Sequence, residues 1–434
     1  MPLQSCDSAS CLICGGKHDE SAHRAFERCD AYCSTCPKEG EHREGNLEDI
    51  YNFSDDRRSS GHAAGGHEER VVPELFKVHG CSPLNLGGSG KPFSIEDVMQ
   101  GCGIPFNERE TYRCKEHKKD SRLKLISGLD FKRGTDFLAS VSTSKEVCVF
   151  RLNTNACEGS LGDVHDPMWT HRLAGRPCCA CWNNESTVVS VGDNEGVVTQ
   201  VEVESGHIFC EKDIITNGKP VLDLTRQRNF SSTCLLSAGG DGSVRLWSRD
   251  LCNGLDIIGE GKRGSVPACA VAFSPVDPYK IAVALSSSEV LSFDVRHPEK
   301  PLSSFLVGSC PTAHLEYLEN GDLVCSNLNS EISVWAAKHL DAGGNDVVYT
   351  KRKVCRGHRQ TKNFVGLSTQ RNLIATGSED GNAYVYRVDS EKPVATVPTS
   401  SLVTEVHWVP QEVCSDKPNL IVATGEGLRR YELM

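Results

Sequence analysis

From about residue 122 to its end, the chain is written in short runs where apolar and polar side chains alternate with period two. Gly, Asp, Asn or Ser breaks separate the runs, and this pattern predicts half-buried β-strands joined by tight turns. The runs recur in units of about 40 residues, each with an alternating strand, a polar turn, a small-residue strand, an Asp/Gly turn and a third strand. The first unit contains Ile126–Phe131, Phe137–Val141 and Val147–Phe150; the second contains Cys178–Trp182, Val188–Val191 and Gly196–Val201. The third runs from Val221–Leu224 to Trp247, and the fourth holds Ala268–Phe273, Ile281–Ala284 and Glu289–Phe293. The fifth has Ala313–Tyr317, Asp322–Cys325 and Ile332–Trp335, and the sixth runs from Phe364–Leu367 to Tyr386. The seventh is Val403–Trp408, Leu420–Thr424 and Leu428–Tyr431. Seven such units close into a ring, which removes the exposed sheet edges that invite aggregation. The predicted fold is therefore all-β, a seven-bladed β-propeller over residues 122–434.

Two units end alike. Ala375-Thr-Gly-Ser-Glu-Asp-Gly-Asn-Ala-Tyr-Val-Tyr386 echoes Leu236-Ser-Ala-Gly-Gly-Asp-Gly-Ser-Val-Arg-Leu-Trp247. This ending, with Gly357-His358 ahead of the later copy, is the signature of a WD-type repeat. Blade six carries the repeat's polar set in His358, Thr376, Asp380 and Tyr386, and blade three keeps Ser237, Asp241 and Trp247. Buried polar groups need partners, and these residues are expected to supply partners to one another. A catalytic His358–Asp380 pair is the alternative, but no nucleophile accompanies it and the repeat already accounts for both residues. A non-enzymatic protein that presents partners is expected.

The region before the repeats has a different character. Residues 1–43 are rich in Cys and His, and residues 44–121 read as a largely disordered linker, most clearly in the polar, Gly-rich part up to residue 70. Ser94-Ile-Glu-Asp97 before Val98-Met99 matches a capping box, so one short helix is expected there. Of the 22 cysteines, six fall within residues 6–36. Cys11-x-x-Cys14 and Cys33-x-x-Cys36 have the spacing of two chelating loops, with 18 residues between them. Cys6, Cys29, His18, His23 and His42 add ligands, and the set Cys11, Cys14, Cys29, Cys33, Cys36, His23 and His42 makes a structural zinc site the expected cofactor. Zinc would fold a segment too short to build a core alone. A tail with chance cysteines is the alternative. The Cys-x-His pair that a RING requires after the second loop is missing.

Composition narrows the function. The net charge of −11 argues against general nucleic-acid binding. No apolar run reaches the ~20 residues of a membrane-spanning helix. Met1-Pro-Leu-Gln-Ser-Cys6 has neither a basic lead nor an apolar core, so no secretory signal is expected and the thiols are expected to be reduced. Lys115, Lys118, Lys119, Arg122 and Lys124 form a basic run that reads as a solvated linker or a nuclear-import signal. The expected location is the nucleus and cytoplasm.

One segment is more specific than a generic repeat. Gly357-His-Arg-Gln-Thr-Lys-Asn-Phe-Val-Gly-Leu-Ser368, with Ile374–Glu379 and Tyr384-Val-Tyr386, resembles the propeller of the plant photomorphogenesis-repressor ubiquitin ligases. It likewise resembles their suppressor-of-phytochrome partners and the small repressors of UV-B photomorphogenesis. Gly128–Phe131, Ala180–Trp182 and Phe293-Asp-Val-Arg296 follow the same pattern, so the resemblance covers residues 122–434 and leaves the N-terminal region out. It implies two surfaces. One binds short Val-Pro peptides preceded by acidic residues, and there Trp182, Phe364 and Lys362 match the family's pocket. The other docks the adaptor of a cullin-based ubiquitin ligase, through Phe293, Asp294 and Arg296, with Phe293 replacing the usual Trp. The chain departs from the family at Ser286–Glu289 and Ser309–Thr312, where basic stretches would meet the acidic part of the peptide. It also lacks the ligases' coiled coil and RING. The resulting expectation is an adaptor that binds Val-Pro peptides and serves as receptor or regulator of a cullin-based ligase in light signalling. A zinc-dependent scaffold contacting RNA or protein through residues 6–42 is the alternative, as is an N-terminal degenerate ligase module.

Overall fold

In a computed structural model of the chain, the alternating runs form seven sheets arranged as a propeller, six of them four-stranded and antiparallel and the seventh extended by a fifth strand. The structure describes residues 106–112, 125–152, 163–183, 187–215, 218–227, 234–248, 251–259, 266–339, 347–413 and 417–433. The zinc set, the capping box at residue 94 and the basic run at 115–124 lie outside them.

Each blade runs outward from its first strand. Blade one is Ile126–Phe131, Phe137–Ser142, Glu146–Arg151 and Trp169–Arg172. Blade four is Ala268–Phe273, Lys280–Leu285, Glu289–Asp294 and Ser303–Leu306. The first strand of every blade contacts the first strands of its two neighbours, and Val403–Trp408 of blade seven contacts Ile126–Phe131 of blade one, so the ring is closed. The apolar faces are buried between blades. Leu236, Val244, Val271, Val283 and Phe293 fill the seam between blades three and four. Ile126, Phe131, Phe150, Ile421 and Leu428 fill the seam between seven and one. At ~25 cal/mol per Å² of apolar area, such seams are the main source of stability.

The sequence pattern displays three strands per blade, and the structure adds a fourth. Outer strands such as Ile208–Asp213 in blade two alternate between exposed and half-buried positions, so no apolar periodicity marks them. In blade seven the outer strand comes from the other end of the repeats. Phe106–Tyr112 pairs antiparallel with Gly427–Leu433, from Phe106 opposite Leu433 to Tyr112 opposite Leu428. A short strand from blade one, Asp163–His165, then pairs in parallel with Phe106–Tyr112. This corrects the boundary read from the sequence: the propeller begins inside the stretch assigned as linker, and a fragment begun at 122 omits its closing strand.

The turns between second and third strands repeat one device. Each needs a residue with left-handed backbone, supplied by Gly196, Gly242, Gly381 and Gly427 in blades two, three, six and seven. Blades one, four and five use Lys145, Ser288 and Ser330 instead, at φ of 66°, 68° and 63°. Side chains rarely adopt this conformation, which costs about 1 kcal/mol or more. All three offset the cost by tying the turn to the loop that leads into the next blade. Lys145 Nζ donates to the Ala174 carbonyl at 2.7 Å, Ser288 Oγ donates to the Cys310 carbonyl, and Ser330 Oγ accepts from the Gln360 N–H at 2.9 Å.

The clasp generates a prediction. A fragment beginning at residue 104 should melt cooperatively as a monomer. One beginning at 120 should lose the hydrogen-bonded outer strand and several kcal/mol, lowering Tm by roughly 5–10 °C and exposing a sticky edge. Circular-dichroism melts with light scattering read both effects; equal melting of the two fragments would contradict the clasp.

Candidate functional site

All seven first strands run in the same direction along the central channel, so the position of a residue within its repeat fixes its face. The cross-blade contacts join like to like. Ser127 Oγ at the start of blade one donates to the Pro177 carbonyl at the start of blade two, at 2.8 Å. At the far ends of the same strands, the Trp182 N–H donates to Asp130 Oδ2 at 2.7 Å. The face where the first strands begin is termed the leading face, and the opposite one the trailing face.

Phe364 belongs to the leading face. It precedes the first strand of blade six, Leu367–Gln370, and stands level with Ile126, Pro177, Val221, Ala268, Thr312 and Val403 at the rim of the channel. It is half-buried, its ring edge-on to His314 of blade five at 6.3 Å between centroids. Desolvation pushes His314 down to about 4, so the imidazole beside Phe364 is neutral at pH 7. Gly366, two residues on, allows blade seven to approach: a Cβ there would lie 2.8 Å from the Val406 amide nitrogen. The glycine of Asn-Phe-Val-Gly-Leu thereby seats the chain that carries Phe364.

The loop leading to Phe364 is held by a residue not assigned from the sequence. Glu379 Oε1 accepts the successive N–H groups of Thr361, Lys362 and Asn363 at 2.9, 2.6 and 2.9 Å, and Oε2 accepts Thr361 Oγ1 at 2.8 Å. Three consecutive amides aimed at one oxygen form an anion nest. Burial alone would raise the Glu379 carboxyl, but these donors outweigh it and hold it below the usual carboxylate range. Lys362 is exposed, its backbone N–H engaged by Glu379, one residue from Asn363 and two from Phe364. Positive charge on the same face also comes from Lys219, exposed in the loop leading into blade three, and from Arg176 in the loop leading into blade two. These cations stand on other blades than the Ser-rich stretches where the family pattern loses its basic groups. The Ser-rich stretches are engaged with each other through Ser288 and the Cys310 carbonyl.

Trp182 is not part of this site. It ends its strand five residues past Pro177, about 16 Å down the channel axis from the level of Phe364. It is 2% exposed and packed among Ala139, Val141, Val189 and Val191. Its ring is a core element at the trailing side, with Lys132 Nζ 5.9 Å from its centroid. A motif match places an aromatic in a sequence, but only the strand's direction shows which face it serves.

Phe293, Asp294 and Arg296 lie at the end of a third strand, on the trailing face. Phe293 is buried at 3% exposure in the seam of blades three and four, so it supports the turn and offers no surface. Asp294 accepts Arg296 Nη2 at 2.6 Å and Nε at 2.9 Å, and the guanidinium stacks 4.1 Å from the Tyr279 ring centroid. Burial would raise the Asp294 carboxyl, and the Arg296 guanidinium and N–H hold it down instead. The result is a rigid, half-exposed arginine plane.

The repeat's polar sets are only partly assembled. His358 Nδ1 and its N–H both meet Tyr386 Oη at 3.1 Å, and burial keeps the imidazole neutral by pushing it down to about 4. Thr376 Oγ1 instead donates to the Gly377 carbonyl at 3.1 Å. Asp380 is exposed and receives Tyr384 Oη at 2.7 Å with the Asn382 N–H at 3.1 Å. In blade three Trp247 Nε1 donates to Ser237 Oγ at 2.9 Å, while Asp241 binds Ser243 through its N–H and hydroxyl. Deeper in the channel stands Glu405, pushed up to about 8 by lost solvation and then by Asp223 and Glu316. It keeps some exposure to the channel, yet protein surrounds it. Among the described residues no group of three or more His, Cys, Asp or Glu side chains is arranged to hold a metal ion.

Replacing Glu379 with Ala should leave three amides unsatisfied and lower stability by about 1–3 kcal/mol at pH 7. The carboxyl titrates lower in the folded chain than in the unfolded one. The difference between parent and Glu379→Ala should therefore be full above pH ~4.3 and shrink as pH falls through the depressed value. Urea unfolding at pH 7 and pH 3 measures it; equal stability at pH 7 would contradict the nest.

Residues 212–248 and 349–387, which hold the three inner strands of blades three and six, match the family described as WD domain, G-beta repeat. The chain is 27% identical over 62% of its length to Protein SPA1-RELATED 4 of Arabidopsis thaliana, covering 33% of that protein. It is 24% identical over 70% of its length to E3 ubiquitin-protein ligase COP1 of Pisum sativum, covering 44% of it. It is 28% identical over 62% of its length to WD repeat-containing protein RUP1 of Arabidopsis thaliana, covering 68% of it. The chain thus spans less than half of the SPA1-related and COP1 relatives. It is a seven-bladed β-propeller with WD-type repeats at residues 212–248 and 349–387, similar in sequence to the COP1, SPA1-related and RUP proteins.

Proposed function

We propose that this chain is a non-catalytic adaptor whose propeller binds a short peptide at the leading face, in the ubiquitin-dependent light signalling of its relatives. The observation that carries this reading is Phe364. An apolar ring is held half-exposed at the channel rim by a loop whose three amides are fixed on Glu379. A fixed aromatic loses little side-chain freedom on binding, and a Val-Pro pair brings apolar area with little entropy to lose. Lys362 and Lys219, exposed on the same face, would meet acidic residues beside such a pair.

The trailing face supports a second contact. The Arg296 plane, locked on Asp294 and Tyr279, is a rigid cationic surface on the opposite side of the ring. Docking of a cullin-type adaptor there would leave the peptide face free, which is the geometry a substrate receptor requires. The name of the COP1 relative, an E3 ubiquitin-protein ligase, supports placing the chain in that machinery. The name of the RUP1 relative, a WD repeat-containing protein, supports a role carried by the repeats themselves.

The test is a fluorescence-polarisation titration of a labelled acidic Val-Pro peptide against residues 104–434. A Kd of tens of micromolar or tighter is expected, weakened at least tenfold by Phe364→Ala and unchanged by Trp182→Phe. Equal binding by the parent fragment and Phe364→Ala would overturn the reading.

A further inference from the structure

Four carboxyls stand on the inner strands, and one of them differs from the other three. At the five levels from Phe364 down to Ser368, the seven inner segments hold Asp130, Asp223, Glu316 and Glu405, the imidazoles of His314 and His407, and no Lys or Arg. Three of the carboxyls each accept an amide of the next blade. Asp130 accepts the Trp182 N–H at 2.7 Å, Asp223 the Val271 N–H at 2.9 Å, and Glu316 the Thr369 N–H at 2.6 Å. Glu405 has no such donor: among the described residues its side chain accepts no hydrogen bond and forms no ion pair. It lies instead against Gly366, where an added Cβ would collide with Oε2, two residues from Phe364. It is half-buried and stands two strand positions, about 7 Å, below the level of Phe364.

The strands packed against Val403–Trp408 bring Glu405 no cationic partner. On blade one, Asp130 Oδ1 faces His407 Nε2 at 3.9 Å. Leu367–Gln370, Leu373–Thr376 and Asn419–Thr424 carry no titratable side chain. In Asn382–Arg387, Tyr384 donates to Asp380, Tyr386 meets His358, and Arg387 pairs with Asp389 at 3.2 Å. Across the channel stand Asp223, Glu316 and the neutral His314. Burial first, then Asp223 and Glu316, push Glu405 up to about 8, so it is protonated at pH 7. A Val-Pro ligand presents carbonyl acceptors and, at its Pro, no N–H. A protonated carboxyl donates to such an acceptor, whereas a carboxylate repels it. A bound acidic peptide also strips water from the channel mouth and brings negative charge, and both effects disfavour ionised Glu405.

We infer that Glu405 is a specificity-determining residue of the peptide site, which accepts an acidic Val-Pro ligand while this side chain is protonated and rejects it once ionised. The inference rests on the proposed peptide-binding role of the Phe364 site and couples that role to one proton. Affinity is full where Glu405 is protonated in the free chain and falls as pH rises through its value of about 8. The protonated fraction scales the apparent affinity, so Kd rises about tenfold between pH 7 and pH 9.

The test titrates a labelled acidic Val-Pro peptide with blocked termini against the full chain at pH 7, 8 and 9. The parent should lose about tenfold in affinity across that range. Glu405→Gln keeps a neutral donor of the same shape, so it should match the parent at pH 7 and stay flat to pH 9. Calorimetry at pH 8 in two buffers of different ionisation heat should show the parent taking up about half a proton per peptide and the variant none. Folding raises Glu405 above its unfolded value of about 4.3, so parent stability falls as pH rises toward about 8 and the variant escapes that fall. The variant should therefore melt no lower than the parent at pH 8, which circular dichroism checks. A parent Kd that is constant from pH 7 to pH 9, or the same slope in Glu405→Gln, would overturn the proton coupling and leave the peptide site standing. Loss of binding at pH 7 by a variant that melts like the parent would overturn the neutral-donor role. No binding by the parent at any pH would overturn the peptide site and this inference with it.

Discussion

Everything in this molecule depends on closure of the ring. A blade buries its apolar faces only between two neighbours, so seven blades share seven seams, and the seam between blades seven and one completes the set. Backbone pairing of Phe106–Tyr112 with Gly427–Leu433 secures that junction by joining distant parts of the chain. The parallel strand Asp163–His165 then ties the same sheet to the connection inside blade one. Once closed, the ring imposes one direction on all seven inner strands, and with it two chemically separate faces.

Those faces explain how a repeat that is mostly core carries function. The tight turns and the loops between blades meet on the leading face, and side chains knit them together: Lys145, Ser288 and Ser330 each reach the loop entering the next blade. Glu379 extends the same principle within blade six, from the tight turn back to the loop before the strand. Its carboxylate is a structural anion whose role is to fix Phe364. On the trailing face the corresponding rigid feature is Arg296, held by Asp294 and Tyr279. Under the proposed reading, a peptide and a ligase component would occupy opposite faces of the ring.

Much of the fold was legible in the sequence because inner strands carry strong alternation and the Asp-Gly turns require left-handed glycine. The outer strands were not legible, since their exposed sides lack an apolar stripe. The closing strand was hidden because its partner lies over three hundred residues away and local pattern carries no trace of such pairing. For the site, Asn-Phe-Val-Gly-Leu drew attention to Phe364, which lies half-buried on the leading face, and the close approach at Gly366 shows why the motif needs its glycine. Trp182 misled because an aromatic at a strand's end and one at its start look alike in sequence, although the strand separates them by its whole length. Glu379 could have been found from the Ser-Glu-Asp-Gly turn, where a glutamate just before the tight turn faces the incoming loop. His358 and Tyr386 meet as the repeat pattern implies, whereas Thr376 and Asp380 find nearer partners.

The central claim is that the leading face around Phe364 is where this propeller receives a peptide. Hydrogen exchange of residues 104–434 with and without a saturating acidic Val-Pro peptide tests it most directly. The account predicts slowed exchange at the amides of residues 361–365 and 399–403, with the Asp294–Arg296 turn unchanged. Protection confined to the trailing face, or absent from the leading one at saturation, would contradict it.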